Sequence, residues 1–452
     1  METLDAREIG RLQDSLVAET LDAIQKNAFF TSRYKKEGIR LDRVRGVAGL
    51  RDLPIVRKTD ILDDIADHPP YGSRLGGSSS SIVNVVESSG TTAAGREVQA
   101  LDAADLNAIV RAEKAGFIWA GATEGTVVAL YFPVGMTAAG YWWTLALYEL
   151  GCNTIRLGGQ RTIGRLEYMH RYGVEQMLLG SHYLQRLMYL ASENGYELRR
   201  DFPGLKSILL TGGGWNVEIA ERWSEAWGAT LYEQYGSSQR CIAWTCERGM
   251  VAQGRPGVIH GLPDQYVLEV IDPKTNEHVD EGDEGEIVLT VLGRRAMPLV
   301  RYGTGDRATF RSGTSCPCGR CFDGIEAGSV GRIDDMLRIR DRNLWPNIVD
   351  RVVLSTPSVL DYNAVVWIDA RAQVRLSMEL ALEPTVGADA IGLITVELSR
   401  CLREETGLRF ELTARALDSG EVDETGLVDG KPRRWKDLRS TPGASPLWVH
   451  EA

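Results

Sequence analysis

The sequence predicts an α/β protein: a large N-terminal domain built around a mostly parallel sheet, with a small β-subdomain, followed by a small α+β domain. Three observations predict it. Between about residues 126 and 211, short apolar runs alternate with helical patterns, which is the signature of parallel strands joined by crossover helices. The stretch Tyr266–Leu292 instead holds two β-rich runs around an acidic, Pro- and Gly-bearing turn. That pattern reads as an antiparallel hairpin or small β-subdomain. After Gly331 the composition shifts to three strand-like runs, one amphipathic helix and a further strand.

Each element has its own local reason. Leu21–Gly38 reads as one amphipathic helix ended by Gly38. Leu50–Ile65 carries Thr59 and Asp60, residue types that cap a short helix. Ile82–Val86 is a strand candidate inside a Gly/Ser/Thr-rich stretch, Ser73–Gly95. Val127–Pro133 is a strand, Ala139–Gly151 a helix closed by Gly151, and Cys152–Gly159 a strand and turn. Val174–Gly180, Leu205–Gly214 and Ala229–Gly236 are further apolar runs, each ending in Gly. In the C-terminal part, Met336–Arg340, Asn363–Asp369, Val374–Leu382 and Phe410–Leu417 are strand candidates, and Ala390–Gly407 is a helix closed by Gly407.

A chain of 452 residues is too long for one ordinary core, and the boundary falls at residues 1–333 and 334–452. The formal net charge of −11 argues against a general nucleic-acid binder, which needs a basic face. No apolar run approaches the roughly 20 residues of a membrane span, and the first residues are polar and charged rather than an export signal. A soluble cytoplasmic protein is the expectation. The seven cysteines therefore point to metal ligation or burial rather than disulfides.

The chemistry-bearing segments are short. Glu87-Ser88-Ser89-Gly90-Thr91-Thr92 follows a strand and offers hydroxyls and backbone N–H groups to phosphate oxygens. It is not a Walker loop, because no Gly-Lys-Ser/Thr follows. Tyr235-Gly236-Ser237-Ser238-Gln239, Arg301-Tyr302-Gly303-Thr304-Gly305-Asp306 and Gly331-Arg332-Ile333-Asp334-Asp335 come later, in that order. These four segments resemble the motifs of the acyl-adenylate-forming enzymes. The run Cys316-Pro317-Cys318-Gly319-Arg320 and the ending Gly430-Lys431-Pro432-Arg433-Arg434 resemble the phenylacetate–CoA ligase branch. The resemblance spans about residues 27–439.

The resemblance implies an enzyme that uses ATP to turn a small, aromatic carboxylic acid into acyl-AMP and then transfers the acyl group to CoA. An amine or other small nucleophile as acceptor is the first alternative, and a degenerate ATP-binding protein the second. It assigns the ATP phosphates to Ser88, Ser89, Thr91 and Thr92, with Gly236 and Ser237 in the next motif. Adenine would lie against Gly212, Gly213 and Gly214 and stack on Tyr235. Ser238 would touch the α-phosphate, Asp306 the ribose hydroxyls, and Arg332 would support them. Lys431 would bridge the carboxylate and α-phosphate as a point charge, with Lys436 as its fallback. Asp334 would be the hinge of a rotating small domain. A homodimer is the family expectation.

Two further sites are read from residue types. Cys246, His260, Cys316 and Cys318 suit a structural, tetrahedral Zn²⁺, with Cys241 and Cys321 as spare ligands. Cys152 and Cys401 sit in apolar patterns and are expected in the core. Tyr131, Phe132, Trp142 and Trp143, beside Gly135, are candidates for an acid pocket, against ordinary core packing.

The departures matter as much. Gln239 stands where the resembled motif has a Mg²⁺-binding Glu, and an amide oxygen is a neutral, weaker ligand. Ala93 replaces a loop glycine, and Arg96 stands near a usual lysine. Asp341 replaces a glycine beside the thiol tunnel, which puts the CoA step in more doubt than adenylation.

Overall fold

The computed structural model describes residues 2, 4–88, 96–135, 138–213, 215–237, 239–333, 335–339, 342–369, 371, 373–417 and 434–441. Its first strands, β1 (Ile82–Glu87) and β2 (Val98–Asp102), form an antiparallel pair on either side of the Ser/Gly/Thr segment. Next come β3 (Val127–Leu130), β4 (Asn153–Arg156), β5 (Gln176–Gly180), β6 (Ser207–Thr211) and β7 (Thr230–Ser237). They pair in parallel in the order β4-β3-β5-β6-β7. Helices Ala138–Glu149, Thr162–Tyr172, Ser181–Glu193 and Val217–Trp227 make the crossovers. The predicted βαβ alternation is therefore realised.

At β7 the sheet changes sense. β8 (Arg240–Thr245) turns back against β7, with residue 239 at the bend. β9 (Val251–Ala252) and β10 (Arg255–Pro256) form a short ladder of their own. β11 (Val258–Gly261), β12 (Tyr266–Ile271), β13 (Glu284–Val291), β14 (Leu299–Arg311), β15 (Gly324–Glu326) and β16 (Gly331–Arg332) complete the large sheet. The order runs β12-β13-β14-β15-β11-β8-β7-β6-β5-β3-β4, with β16 on β14. The expected hairpin at Tyr266–Leu292 is present as β12 and β13. It is not a separate subdomain sheet, however, because β15 and β11 join it to the parallel half.

The N-terminal segment corrects one expectation. Leu21–Gly38 is not a single helix. A helix Ala6–Ile24 begins with an Asp5/Glu8 capping box, and a second helix, Ala28–Lys36, follows it. Asn27 caps the second, while its amide donates 2.8 Å to the Arg74 carbonyl, a long-range bond that no local periodicity announces. Phe29, Phe30, Tyr34 and Ile24 then pack with Val56, Val300 and Tyr302 in a cluster under β14.

The C-terminal elements are β17 (Leu337–Ile339), β18 (Arg342–Leu344), β19 (Val359–Ile368), β20 (Val374–Leu382), β21 (Glu411–Ala416) and β22 (Trp435–Asp437), with helices Pro346–Val353 and Ala388–Thr406. Four of the strands form a sheet in the order β21-β20-β19-β22. Ile339, Val349, Val366, Met378, Leu398 and Phe410 belong to its own core, distinct from the core around the parallel strands. Gly407 ends the long helix at φ +66°, as its position in the sequence implies. Polar contacts join this unit to the large one. Asn216 Nδ2 donates 3.0 Å to Ser355 Oγ, Arg222 donates 2.7 Å to the Ser355 carbonyl, and Gln185 donates 3.0 Å to the Pro357 carbonyl. Among the described residues, no helix is long and apolar enough to cross a membrane.

Candidate active site

The site lies where the sheet changes from parallel to antiparallel, outside the C-terminal ends of β6 and β7. Chain reversals leave a crevice there in open α/β sheets, and ligands bind in it. β6 ends at Thr211 and runs into Gly212 and Gly213, at φ +107° and +68°. L side chains rarely adopt those values. The Ser181 hydroxyl hydrogen-bonds the Gly213 carbonyl and pins this turn. A Cβ on Gly213 would meet nothing closer than the Val330 carbonyl, 3.5 Å away, so this glycine is required by conformation rather than crowding.

Three of the predicted residues converge. Asp306 and Arg332 face each other across the β14–β16 ladder. Arg332 Nη1 donates 2.9 Å to one Asp306 carboxylate oxygen. The Tyr235 hydroxyl, from the end of β7, donates 2.7 Å to the other. Asp306 N is held by Thr304 Oγ1 at 3.0 Å, so the carboxylate has a fixed backbone beneath it. Burial, then the neighbouring Asp306 charge, pushes the Tyr235 phenol well above its ordinary range, which keeps it a donor. The result is a largely buried carboxylate oriented by two donors, suited to accepting hydrogen bonds from a vicinal diol.

Ser88 directly follows β1. Its N–H donates 2.9 Å to the Glu97 carbonyl, and its Oγ accepts 2.8 Å from Glu97 N. These bonds clamp the two ends of the Ser/Gly/Thr segment. Gly236 and Ser237 finish β7, and Ser237 Oγ accepts from Gln239 N at 3.3 Å. Ser89, Thr91, Thr92, Gly214, Ser238, Asp334, Asp341 and Lys431 lie outside the described residues. Lys436 is exposed on β22.

A polar network not foreseen from the sequence surrounds Gln239. Its amide nitrogen donates 2.8 Å to Glu97 and 3.1 Å to the Tyr302 hydroxyl. Glu97 is fully buried and also pairs with the buried Arg74 at 3.4 Å. Arg294 donates 2.9 Å to the Gln239 carbonyl and 2.6 Å to Gln99. The one signal in the sequence was an acidic residue placed directly before the apolar β2 run.

The acid-pocket candidates are spread across packing. Tyr131 and Trp143 are buried in the main core, where Trp143 Nε1 donates 2.9 Å to Glu113. Trp142 lies in a separate cluster with Val86, Leu101 and Ile109, its Nε1 3.3 Å from Asn84. Neighbouring tryptophans on a helix diverge by about 100°, so the two serve different clusters. Phe132 is half-buried against Trp143, ring centroids 4.9 Å apart, and Gly135 is exposed.

The Cys/His set does converge. Cys246 follows β8, His260 sits on β11, and Cys316 and Cys318 lie in the loop after β14. Their ligand atoms all fall within 4.8 Å of one another. Cys246 and Cys316 sulfurs are 3.7 Å apart, and His260 Nε2 is 3.5 Å from Cys318 Sγ. His260 Nδ1 sits 3.0 Å from the Phe322 carbonyl, which accepts its proton and leaves Nε2 toward the thiols. Hydrogen bonds from Cys246 and Cys316 hold the Cys318 thiol well below the ordinary thiol range. Three soft thiols and one oriented imidazole fit tetrahedral Zn²⁺. Cys152 is buried, whereas Cys321 and Cys401 are half-buried.

Fold and site together define the class, that of the adenylate-forming ligases. The chain belongs to the family of AMP-binding enzymes, whose family profile matches residues 44–293. It is 26% identical to the phenylacetate-coenzyme A ligase of Thermus thermophilus, over 97% of this chain and 98% of that one. A crystal structure of 2-hydroxyisobutyryl-CoA ligase in the postadenylation state, with 2-HIB-AMP, matches at a TM-score of 0.84, with 23% identity over 97% of this chain and 91% of that chain. The same ligase with 2-HIB-AMP and CoA in the thioesterification state matches at 0.68, with 22% identity over the same shares.

Proposed function

We propose that this enzyme activates a small carboxylic acid with ATP as acyl-AMP and passes the acyl group to CoA. An arylacetic acid is the first substrate to try, because the Thermus thermophilus relative is named for phenylacetate. The observation that carries the reading is the Asp306 carboxylate, held between Tyr235 and Arg332 beside the Gly212–Gly213 turn.

The chemistry explains the need for such a site. A carboxylate is a poor electrophile, so one of its oxygens attacks the α-phosphorus and pyrophosphate leaves. Anions must be held together meanwhile, which needs fixed donors and cations. In this reading Asp306 grips the ribose hydroxyls and orients the nucleotide, and the Gly212–Gly213 backbone gives adenine a flat wall. Ser88, Ser89, Thr91 and Thr92 take the phosphates, Ser238 the α-phosphate, and Lys431 the carboxylate with that phosphate. A bound Mg²⁺ would offset phosphate charge, and the Gln239 amide oxygen is a ligand type that Mg²⁺ accepts. Zn²⁺ at Cys246, His260, Cys316 and Cys318 would be structural, tying the loop after β14 to β8 and β11.

The split at residues 333/334, with Asp334 as hinge, belongs to the same proposal. The higher TM-score against the postadenylation state supports reading the present arrangement of the two units as the adenylating one. ATP and CoA are cytoplasmic metabolites, so a cytoplasmic home accompanies the reading.

The test is ATP–pyrophosphate exchange across aryl, arylacetic and short hydroxy acids, followed by CoA or simple amines. Exchange with at least one acid and a CoA thioester is the expected result. Exchange with product only from amines would overturn the CoA step, and absence of exchange with every acid would overturn the activity.

A further inference from the structure

We infer that Glu97 and Gln239 are a matched pair, in which Glu97 is a positioning residue that fixes the Gln239 amide with its carbonyl oxygen turned to the nucleotide's cation. The inference rests on the adenylation reading for the cation, but its geometry is independent of that reading.

Gln239 Nε2 has two hydrogens. One is given to Glu97 Oε2 at 2.8 Å and the other to the Tyr302 hydroxyl at 3.1 Å. The Tyr302 hydroxyl spends its own proton on Glu97, 3.2 Å away. Burial, then the Glu97 charge, pushes that phenol well above its ordinary range and keeps it protonated. A flipped amide would set its oxygen against a carboxylate oxygen, acceptor to acceptor, and lose the bond to Glu97. The amide orientation is thus determined, and among the described residues Oε1 has no hydrogen-bond partner, which leaves it for a ligand.

The other oxygen of Glu97 is also engaged, with Arg74 Nη2 at 3.4 Å and the Gln99 amide. Glu97 and Arg74 are both buried almost completely, and the buried Arg294 holds the Gln239 carbonyl and Gln99 beside them. A second carboxylate at position 239 would set its oxygens within hydrogen-bond distance of Glu97 Oε2 with no proton between them. The amide at 239 is therefore the counterpart of the carboxylate at 97. It is not a sign of lost catalysis, since the pair keeps one negative charge and one oriented oxygen.

Four proteins test this: wild type, Gln239→Glu, Glu97→Gln and the swapped double variant. ATP binding is measured by calorimetry with and without Mg²⁺, and Tm is measured for each. Each single variant should lose the Mg²⁺-dependent gain in ATP affinity by roughly 10- to 100-fold, the size of a charge-assisted hydrogen bond. The double variant should recover most of the gain and most of the Tm loss. Additive losses in the double variant, or a wild-type Mg²⁺ response in Gln239→Glu, would overturn the pairing. Where Glu97→Gln fails to fold, Gln239→Leu replaces it: Gln239→Glu should melt below Gln239→Leu, and the reverse order overturns the inference. ATP failing to bind wild type would refute the adenylation reading alone, and the Tm cycle would still decide the pair.

Discussion

Arg332 and Asp306 meet across two paired strands, the guanidinium 2.9 Å from the carboxylate, while the remaining carboxylate oxygen is taken by the Tyr235 hydroxyl. Both donors approach from the protein, and Asp306 is still slightly exposed, so the carboxylate is aimed rather than merely neutralised. A ribose diol arriving at such a group finds an acceptor whose direction is already fixed, which lowers the entropic cost of binding.

The first prediction follows from that arrangement. Asp306→Ala should weaken ATP or AMP binding by roughly 10- to 100-fold, as expected for hydrogen bonds to a charged group. Asp306→Asn, which keeps the shape and loses the charge, should fall between. Calorimetric titration with each nucleotide reads this directly. Equal affinity in wild type and Asp306→Ala would place the nucleotide elsewhere.

The thiol–imidazole cluster makes a second prediction. Protein expressed in zinc-containing medium should carry one equivalent of zinc by elemental analysis, and Cys318→Ala should carry much less. Because metal affinity adds to folding free energy, a strong chelator should lower Tm in wild type by several degrees and leave Cys318→Ala unmoved. Protein purified without chelator but lacking zinc, with the same Tm before and after chelation, would mean the cluster is only a buried thiol group.

Glu233 gives a third, through pH. It is buried on β7, and burial raises its carboxyl to about 7, opposed by the hydrogen bond from Gly328 N–H. The folded state therefore holds a proton that the unfolded chain has released above about 4.5. Linkage then makes this group's contribution full below the unfolded value and lost progressively as pH rises through about 7. Glu233→Gln, which can still accept from Gly328, should be more stable than wild type at pH 8 by ~3 kcal/mol at most. The advantage should vanish near pH 4. Denaturant melts at both values check the sign; an advantage that grows on acidification would refute it.

How much of this was legible in the sequence differs by residue. Tyr235, Asp306 and Arg332 were found because each sits in a short motif whose glycines and flanking strand are local, and strand order brings them together. Glu97 and Tyr302 were missed as partners of Gln239 because the contacts span 63 to 142 positions in the chain. Burial of a carboxylate beside a guanidinium leaves no periodic trace. The aromatic run Tyr131 to Trp143 could not be divided between pocket and core from residue type alone, since an indole serves either. The β12–β13 hairpin was visible, but its fusion into the main sheet depends on β15, a three-residue strand with no apolar run. The Asn27 break inside Leu21–Gly38 has the same origin: what ends the helix there is a partner, the Arg74 carbonyl, far along the chain.

The last prediction concerns the neighbour of Asp306. Successive residues of a strand point to opposite faces, so Arg307 faces away from the side on which Asp306 meets Tyr235. Its guanidinium centre lies 4.1 Å over the Trp345 ring, and Nη2 is 3.4 Å from Asn347. Glu284 holds the other end of the group. Trp345 immediately precedes helix Pro346–Val353 of the C-terminal unit, so this stack ties that unit to β14 beside the Asp306 carboxylate. A partly buried cation–π contact is worth ~1–2 kcal/mol, enough to shift a two-state arrangement roughly 5- to 30-fold. Arg307→Ala should therefore raise the population of opened molecules, read as a larger radius of gyration in small-angle scattering and faster proteolytic cutting between residues 333 and 345. Arg307→Lys, which keeps the charge but not the planar stack, should do so to a lesser degree. ATP–pyrophosphate exchange should fall in the same order, because the closed arrangement is the adenylating one in this reading. Scattering curves that superimpose for wild type and Arg307→Ala would show that the stack does not hold the two units together.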